Sequence, residues 1–248
     1  MGTPVVTCEC AVCRSKDPHD RRLRPAGLMT VGGKRLLFDT GPDFREQALK
    51  IGLRDLDGVV LTHTHFDHIA GIDDLRVYYF IHNKTLPCML SQESYDDLKL
   101  RYSYFFKKSE DDVMGPSRFD FQILKGDFGT AEFLGLKWGY LSYHQNQMKV
   151  TGYRLGKFAY VLDIRDYSEK IVEALKGVEV LVLSALRLTP SPAHLSLEEA
   201  VEFARKVGAK MTWFSHIAHN LGHEEGNKKL PPNIRLAYDG LEIIFNVD

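Results

Sequence analysis

Leu61-Thr62-His63-Thr64-His65-Phe66-Asp67-His68 reads H-x-H-x-D-H and follows the apolar run Val59-Val60-Leu61. Three imidazoles and a carboxylate packed so closely cannot all be core residues, because unsatisfied polar groups are costly to bury. Neutral imidazole and carboxylate are good ligands for Zn²⁺, Mn²⁺ or Fe. Period-two alternation in an extended segment puts His63 and His65 on one side, and Asp67 and His68 then come from the turn beyond. One short loop is thereby able to serve two adjacent metal sites. The plainer alternative is a His-rich surface loop.

Working outward, residues 58–61 read as a short buried strand leading into the histidines. Upstream, residues 27–31 and 35–39 flank Gly32-Gly33, the pattern of a β-hairpin. Residues 43–51 predict a helix with Asp43 as N-cap and Gly52 as C-cap. From Gly71 to about Asp120 aromatics crowd the chain, among them Tyr78, Tyr79, Tyr95, Tyr102, Tyr104, Phe105 and Phe106. Residues 91–106 look helical, and the aromatics read as core, or else as a substrate lid or dimer face. Further on, residues 133–141, 150–155 and 158–162 are β-like, the last two flanking Gly156-Lys157. A helix over 168–175 and a strand over 178–184 follow. The helix over 196–207 opens with a capping box, Ser196 and Glu199. Strands over 211–214 and 241–247 complete the pattern. Strands dominate each half with helices between them, which predicts two packed sheets with helices outside.

The chain has 248 residues, 44% hydrophobic and 26% charged, with a net charge of −1. That is enough chain for a sizeable core, and the balance gives no global pull toward nucleic acid or membrane. No apolar run approaches the roughly 20 residues of a membrane span. The N-terminus lacks the basic segment and apolar core of a signal peptide. Cys8, Cys10 and Cys13 are bunched and Cys88 stands alone. A disulfide framework fits this spacing poorly. A metal-bound thiolate cluster in a reducing cytoplasm fits it better, with reduced buried thiols as the alternative.

Four further positions sit in strand-end contexts: His144, Asp163, His194 (just before the capped helix) and His216. Each alone is an ordinary structural residue. Taken with the H-x-H-x-D-H run they fill a two-metal site. This order of motifs is similar to that of the metallo-β-lactamase-fold hydrolases, over nearly the whole chain. Within that superfamily the pattern resembles the PhnP-type phosphodiesterase branch. The local features that carry the likeness are Cys8-Glu9-Cys10-Ala11-Val12-Cys13, Phe214-Ser215-His216-Ile217-Ala218-His219 and Ala193-His194-Leu195-Ser196.

The resemblance implies an α/β fold, an αββα sandwich of two mixed β-sheets with helices on the outer faces, as one domain over 1–248. It implies that His63, His65 and His144 hold one divalent metal, that Asp67, His68 and His216 hold the other, and that Asp163 bridges them. It implies a separate structural zinc on Cys8, Cys10, Cys13 and His219. His194 is the candidate general acid, Asp67 is the other candidate catalytic residue, and Asp39 orients ligands. His19, His82 and His223 match no motif and read as surface residues. The chain departs from the family in two places. The Gly-rich first turn common in relatives is replaced by Met1-Gly2-Thr3-Pro4, so the N-terminal strand is expected to be missing or shortened. Ile164-Arg165-Asp166-Tyr167 follows Asp163, and Arg165 is a candidate phosphate contact.

The expected activity is metal-dependent hydrolysis of a small cyclic or nucleotide-like phosphodiester. An RNA-processing nuclease of the tRNA 3′-end type is the runner-up, but it expects a basic arm, and Lys107-Lys108 is too short to serve. A thioester or lactam hydrolase shares the metal motif. A zinc-stabilised binding module is the non-enzymatic alternative. Long nucleic acid and membrane are not expected as partners, whereas a homodimer through residues 78–106 is.

Overall fold

The computed structural model describes residues 2–106 and 117–247, so Lys107-Lys108 lie outside the described residues. The chain divides into two compact units, one holding Arg24–Gly126 and Glu132–Leu136, the other Met1–Leu23, Asp127–Ala131 and Lys137–Asp248. Among the described residues no helix is long and apolar enough to cross a membrane.

The first unit carries a five-stranded sheet of order β1-β2-β3-β4-β5. Its elements are β1 (Gly27–Val31), β2 (Lys34–Phe38), α1 (Phe44–Lys50), β3 (Gly58–Val60), α2 (Phe66–Ile69), α3 (Arg76–His82), β4 (Leu86–Ser91), α4 (Gln92–Arg101) and β5 (Phe119–Leu124). β1 and β2 are antiparallel, joined by Gly32 and Gly33 at φ 55° and 74°. Two successive positive φ values make the tight primed turn that matches strand twist, which is why glycine occupies both places. β2, β3, β4 and β5 run parallel. Val59, Val60 and Leu61 are fully buried, as expected of a central parallel strand. Leu37, Phe44, Leu56, Ile72, Leu75 and Leu98 pack into the same core.

The second unit carries most of a seven-stranded mixed sheet of order β12-β11-β10-β9-β8-β7-β6. These strands are β6 (Phe128–Phe133), β7 (Leu136–Gln145), β8 (Met148–Leu155), β9 (Phe158–Val161), β10 (Val180–Ser184), β11 (Met211–Ser215) and β12 (Ile234–Leu236); the helices are α5 (Glu169–Leu175), α6 (Leu197–Val207) and α7 (His223–Lys228). β9 to β12 are parallel, whereas β7, β8 and β9 are antiparallel. The capping box at α6 is present in full, and Gly208 at φ 76° ends the helix. Leu197, Ala200, Phe203, Ala204 and Val207 are its buried residues, the spacing of one apolar stripe. Losing the fully buried Phe203 ring would cost about 3–5 kcal/mol.

Several expectations need correction. The strand expected over 133–141 is broken at Leu134-Gly135, both at positive φ (55° and 78°). A leucine in a left-handed position hides that turn from the sequence. No strand forms over 241–247. There Phe245 stacks on Phe158 at 4.5 Å, and the short β12 ends the sheet. Asp43 takes the N-cap position of α1 without capping it, because Arg24 engages its carboxylate at 2.7 Å (backbone N–H) and 2.8 Å (guanidinium). The helix over 91–106 stops at Arg101, and a 3₁₀ turn covers Ser103–Phe106. β4 was hidden within the aromatic stretch. Of the aromatics there, Tyr78 is buried and Tyr95, Tyr102 and Phe105 pack against the core. Of the unassigned histidines only His82 is exposed. His19 and His223 are half-buried, 4.6 Å apart and both against Tyr238.

Candidate metal centre

In the first unit the H-x-H-x-D-H loop leaves β3 and turns into α2, with His65 at the N-cap position. Backbone bonds hold it at the level of Thr40: Thr40 N–H donates to the His68 carbonyl at 2.7 Å and Gly71 N–H to the Thr40 carbonyl at 2.9 Å. This approach requires Gly41 and Gly71. A Cβ on Gly41 would meet the Asp67 carbonyl oxygen, and one on Gly71 would meet the Gly41 carbonyl oxygen, both far inside contact distance. From α4, Arg101 donates to the Thr64 carbonyl at 3.0 Å, and Tyr102 OH lies 3.4 Å from the Ile69 carbonyl.

Asp39, just after β2 and fully buried, organises this loop. Its carboxylate accepts from Thr62 N–H and Thr62 Oγ1, each at 2.8 Å, and meets His68 Nδ1 at 2.8 Å. A proton held on Nδ1 by Asp39 leaves the His68 lone pair on Nε2, the tautomer a metal ligand needs. His63 Nδ1 lies 2.9 Å from Thr62 Oγ1, and His63 Nε2 lies 2.8 Å from His65 Nδ1. Asp67 is half-buried on α2.

In the second unit Asp163 follows β9, His216 follows β11, and His194 lies in the loop before α6. The Asp163 carboxylate is 3.3 Å from His194 Nδ1 and 3.5 Å from His216 Nε2. Its backbone N–H donates to Ser184 Oγ at 2.8 Å. His144, near the end of β7, is exposed. The backbone carries its contacts: its N–H donates to the Asp166 carbonyl at 3.0 Å, and its carbonyl accepts from Asp166 at 2.9 Å. Arg165, the candidate phosphate contact, instead pairs with Glu199 at 2.8 Å. Burial raises the Glu199 carboxyl, yet the Ser196 N–H and Arg165 hold it below its ordinary value.

Asp39, Asp163 and His216 all have positive φ (60°, 54° and 56°). A non-glycine residue there costs on the order of 1–3 kcal/mol, and such strain gathers at functional sites. Glycine would relieve it, so a retained carboxylate or imidazole points to a role for the side chain.

Cys8, Cys10, Cys13 and His219, all of the second unit, form a group able to hold a metal. His219 Nδ1 is 3.1, 3.5 and 3.6 Å from the three sulfurs. Tetrahedral zinc with sulfur and nitrogen ligands at their usual bond lengths sets this separation near ~3.6 Å. All four cysteines are free thiols. The Cys13 N–H, 3.4 Å from the Cys10 sulfur, is the largest influence drawing the Cys10 thiol down to about 6. Burial pushes the Cys13 and Cys88 thiols up. The His219 loop is tied to the N-terminal segment. Arg22, in a buried pair with Asp20 at 3.0 Å, donates to the Ala218 carbonyl, and Asp20 accepts from His223 N–H at 2.7 Å.

Both units supply His and Asp residues that could hold divalent ions. Nitrogen and carboxylate donors without thiols suit Zn, Mn or Fe, whereas Cys₃His suits zinc. Sequence reading missed the neighbours of these groups, Thr62 beside Asp39, Ser184 beside Asp163, Arg101 beside Thr64 and Gln145 beside His194. The only signal for Gln145 is its place beside His144.

Residues 34–217 match the family model described as a β-lactamase superfamily domain. The chain belongs to the β-lactamase superfamily. A crystal structure described as a new diphosphatase from the PhnP family is similar, with TM-score 0.88 and 39% identity, covering 97% of this chain and 91% of that one. The expected α/β class of two mixed sheets with helices is therefore the one found, and the resemblance to the PhnP branch of this superfamily holds. A curated relative from Porphyromonas gingivalis, named octanoyltransferase, is 35% identical over 99% of this chain and 49% of that protein. The chain thus spans about half the length of that relative. Ribonuclease Z of Bradyrhizobium diazoefficiens is 43% identical over 60 residues, 23% of this chain and 20% of that one.

Proposed function

We propose that this β-lactamase-superfamily protein is a dinuclear metal-dependent phosphodiesterase acting on a small cyclic or nucleotide-like phosphodiester. The observation that carries this reading is the pairing of buried Asp163 with both His216 and His194. It offers a candidate shared ligand with an imidazole beside it that the ligand scheme leaves over. In that scheme His63, His65 and His144 hold one ion, Asp67, His68 and His216 the other, and Asp163 serves both. Cys8, Cys10, Cys13 and His219 hold a structural zinc. Residues 1–248 act as one domain in the cytoplasm, on a small molecule rather than long nucleic acid, with residues 78–106 as a homodimer face.

Two such ions, when bound, make hydroxide available near neutral pH and neutralise phosphate oxygens. The protein's own part is orientation and proton delivery. Asp39 fixes the His68 tautomer, Asp67 and Asp163 contribute negative charge, and His194 gives a proton to the leaving oxygen as general acid. The PhnP-family neighbour's description as a diphosphatase supports the reading, since the ester-bearing phosphorus of an organic diphosphate, like that of a phosphodiester, is flanked by two bridging oxygens. A second reading, thioester hydrolysis, is favoured by the relative named octanoyltransferase. The test is hydrolysis of bis(4-nitrophenyl) phosphate beside 4-nitrophenyl phosphate and an acyl thioester, by metal-loaded protein. Turnover of the diester alone, lost in Asp163→Ala, is expected. Turnover of the thioester alone would replace this reading with the second.

A further inference from the structure

The residue that faces His194 from β7 has no place in the ligand scheme. Gln145 is 3% exposed, and its side-chain amide lies 3.0 Å from His194 Nδ1 and 3.1 Å from Nε2. A buried glutamine amide must be satisfied by partners, and this one takes the His194 ring. Near-equal distances to both ring nitrogens place the amide against the ring as a whole, so it constrains the ring's tilt. Asp163 meets the same imidazole at 3.3 Å. The loop carrying His194 is held from its far side as well: Ser196 and Glu199 reciprocate in the capping box, and Arg165 grips Glu199. Adjacent strand residues face opposite ways. Gln145 is buried while His144 beside it is exposed.

We propose that Gln145 is the positioning residue for His194, holding its imidazole at the angle from which it protonates the leaving oxygen. The inference rests on the phosphodiesterase reading and on His194 as general acid. A general acid matters in proportion to the basicity of the leaving group, contributing about 10²–10⁴-fold where the leaving oxygen needs a proton. A structural role would not discriminate between leaving groups.

The experiment uses two aryl phosphodiesters that differ only in the leaving phenol, 4-nitrophenol or unsubstituted phenol. Wild type, Gln145→Met (similar length, no hydrogen bond) and His194→Ala are compared, all metal-loaded. Gln145→Met is expected to lose about 10²-fold in kcat on the phenyl ester and less than about 3-fold on the 4-nitrophenyl ester, with KM and bound metal unchanged. In metal-free protein, the ring ¹⁵N signals of His194 are expected to lose their single environment in the variant. Equal losses on the two esters, lost metal, or an unchanged His194 environment would overturn the inference. If His194→Ala discriminates between the esters and Gln145→Met does not, Gln145 alone is misassigned. If His194→Ala treats both esters alike, the general-acid reading falls and takes this inference with it.

Discussion

The two imidazole–carboxylate sets are built differently. The His63–His68 loop is contiguous in sequence, and none of its residues has positive φ. Its donors are aimed by a neighbour, Asp39, which carries the strain in their place. In the second unit, Asp163 and His216 carry the strain themselves, each just beyond the end of a parallel strand. The first set therefore depends on a hydrogen-bonding partner, and the second on backbone conformation. The two should fail in different ways.

Asp163 gives the largest expected effect. Asp163→Ala and Asp163→Gly should both reduce diester turnover by more than the ~100-fold typical of a ligand-supporting residue. In metal-free protein the glycine variant should nonetheless be more stable than the alanine variant by about 1–2 kcal/mol, since only alanine is penalised at positive φ. Thermal melts of the two metal-free variants check this, and equal melting temperatures would mean that the backbone at 163 is not strained. Next comes the thiolate cluster. Cys8→Ser should cost about 3 kcal/mol, on the scale of losing a structural metal, and lower Tm by about 6–12 °C at 2–4 °C per kcal/mol. Chelation of wild type, which strips the other ions as well, should lower Tm by at least that much. Asp39→Ala tests the first set. Metal affinity should fall about 10–100-fold, measured by competition with a chromophoric chelator, while the far-UV spectrum stays that of the folded protein. The smallest effect is at Glu199, whose carboxyl is held below its ordinary value. Its stabilising contribution is present above the unfolded-state pKa and is lost as pH falls through the depressed folded one. Glu199→Ala should therefore lower Tm at neutral pH, by the few degrees of a ~1 kcal/mol cap, and make little difference once the pH has fallen below the depressed folded-state pKa.

Much of this was legible in the sequence, for identifiable reasons. Imidazoles spaced by two and an acid beside them announce ligand chemistry, and capping residues announce α6. The Gly32-Gly33 turn was readable because glycine is the ordinary occupant of positive φ. The Leu134-Gly135 turn was missed because leucine is not. β4 was missed because Leu86-Pro87-Cys88 follows a run of aromatics whose composition also suits a helix. The pairings of Gln145 with His194 and of Ser184 with Asp163 were not readable, although Gln145 stands beside His144 in sequence. They lie 49 and 21 residues away along the chain, and only the strand order brings them together.

The most direct test of the account is metal stoichiometry joined to turnover. Wild type should bind three divalent ions per chain. Cys8→Ser should lose one and retain diester turnover per folded molecule, whereas Asp163→Ala should retain the thiolate-bound ion and lose turnover. A wild-type chain that hydrolyses the diester with a single ion, or turnover that disappears with the thiolate-bound ion alone, would contradict it.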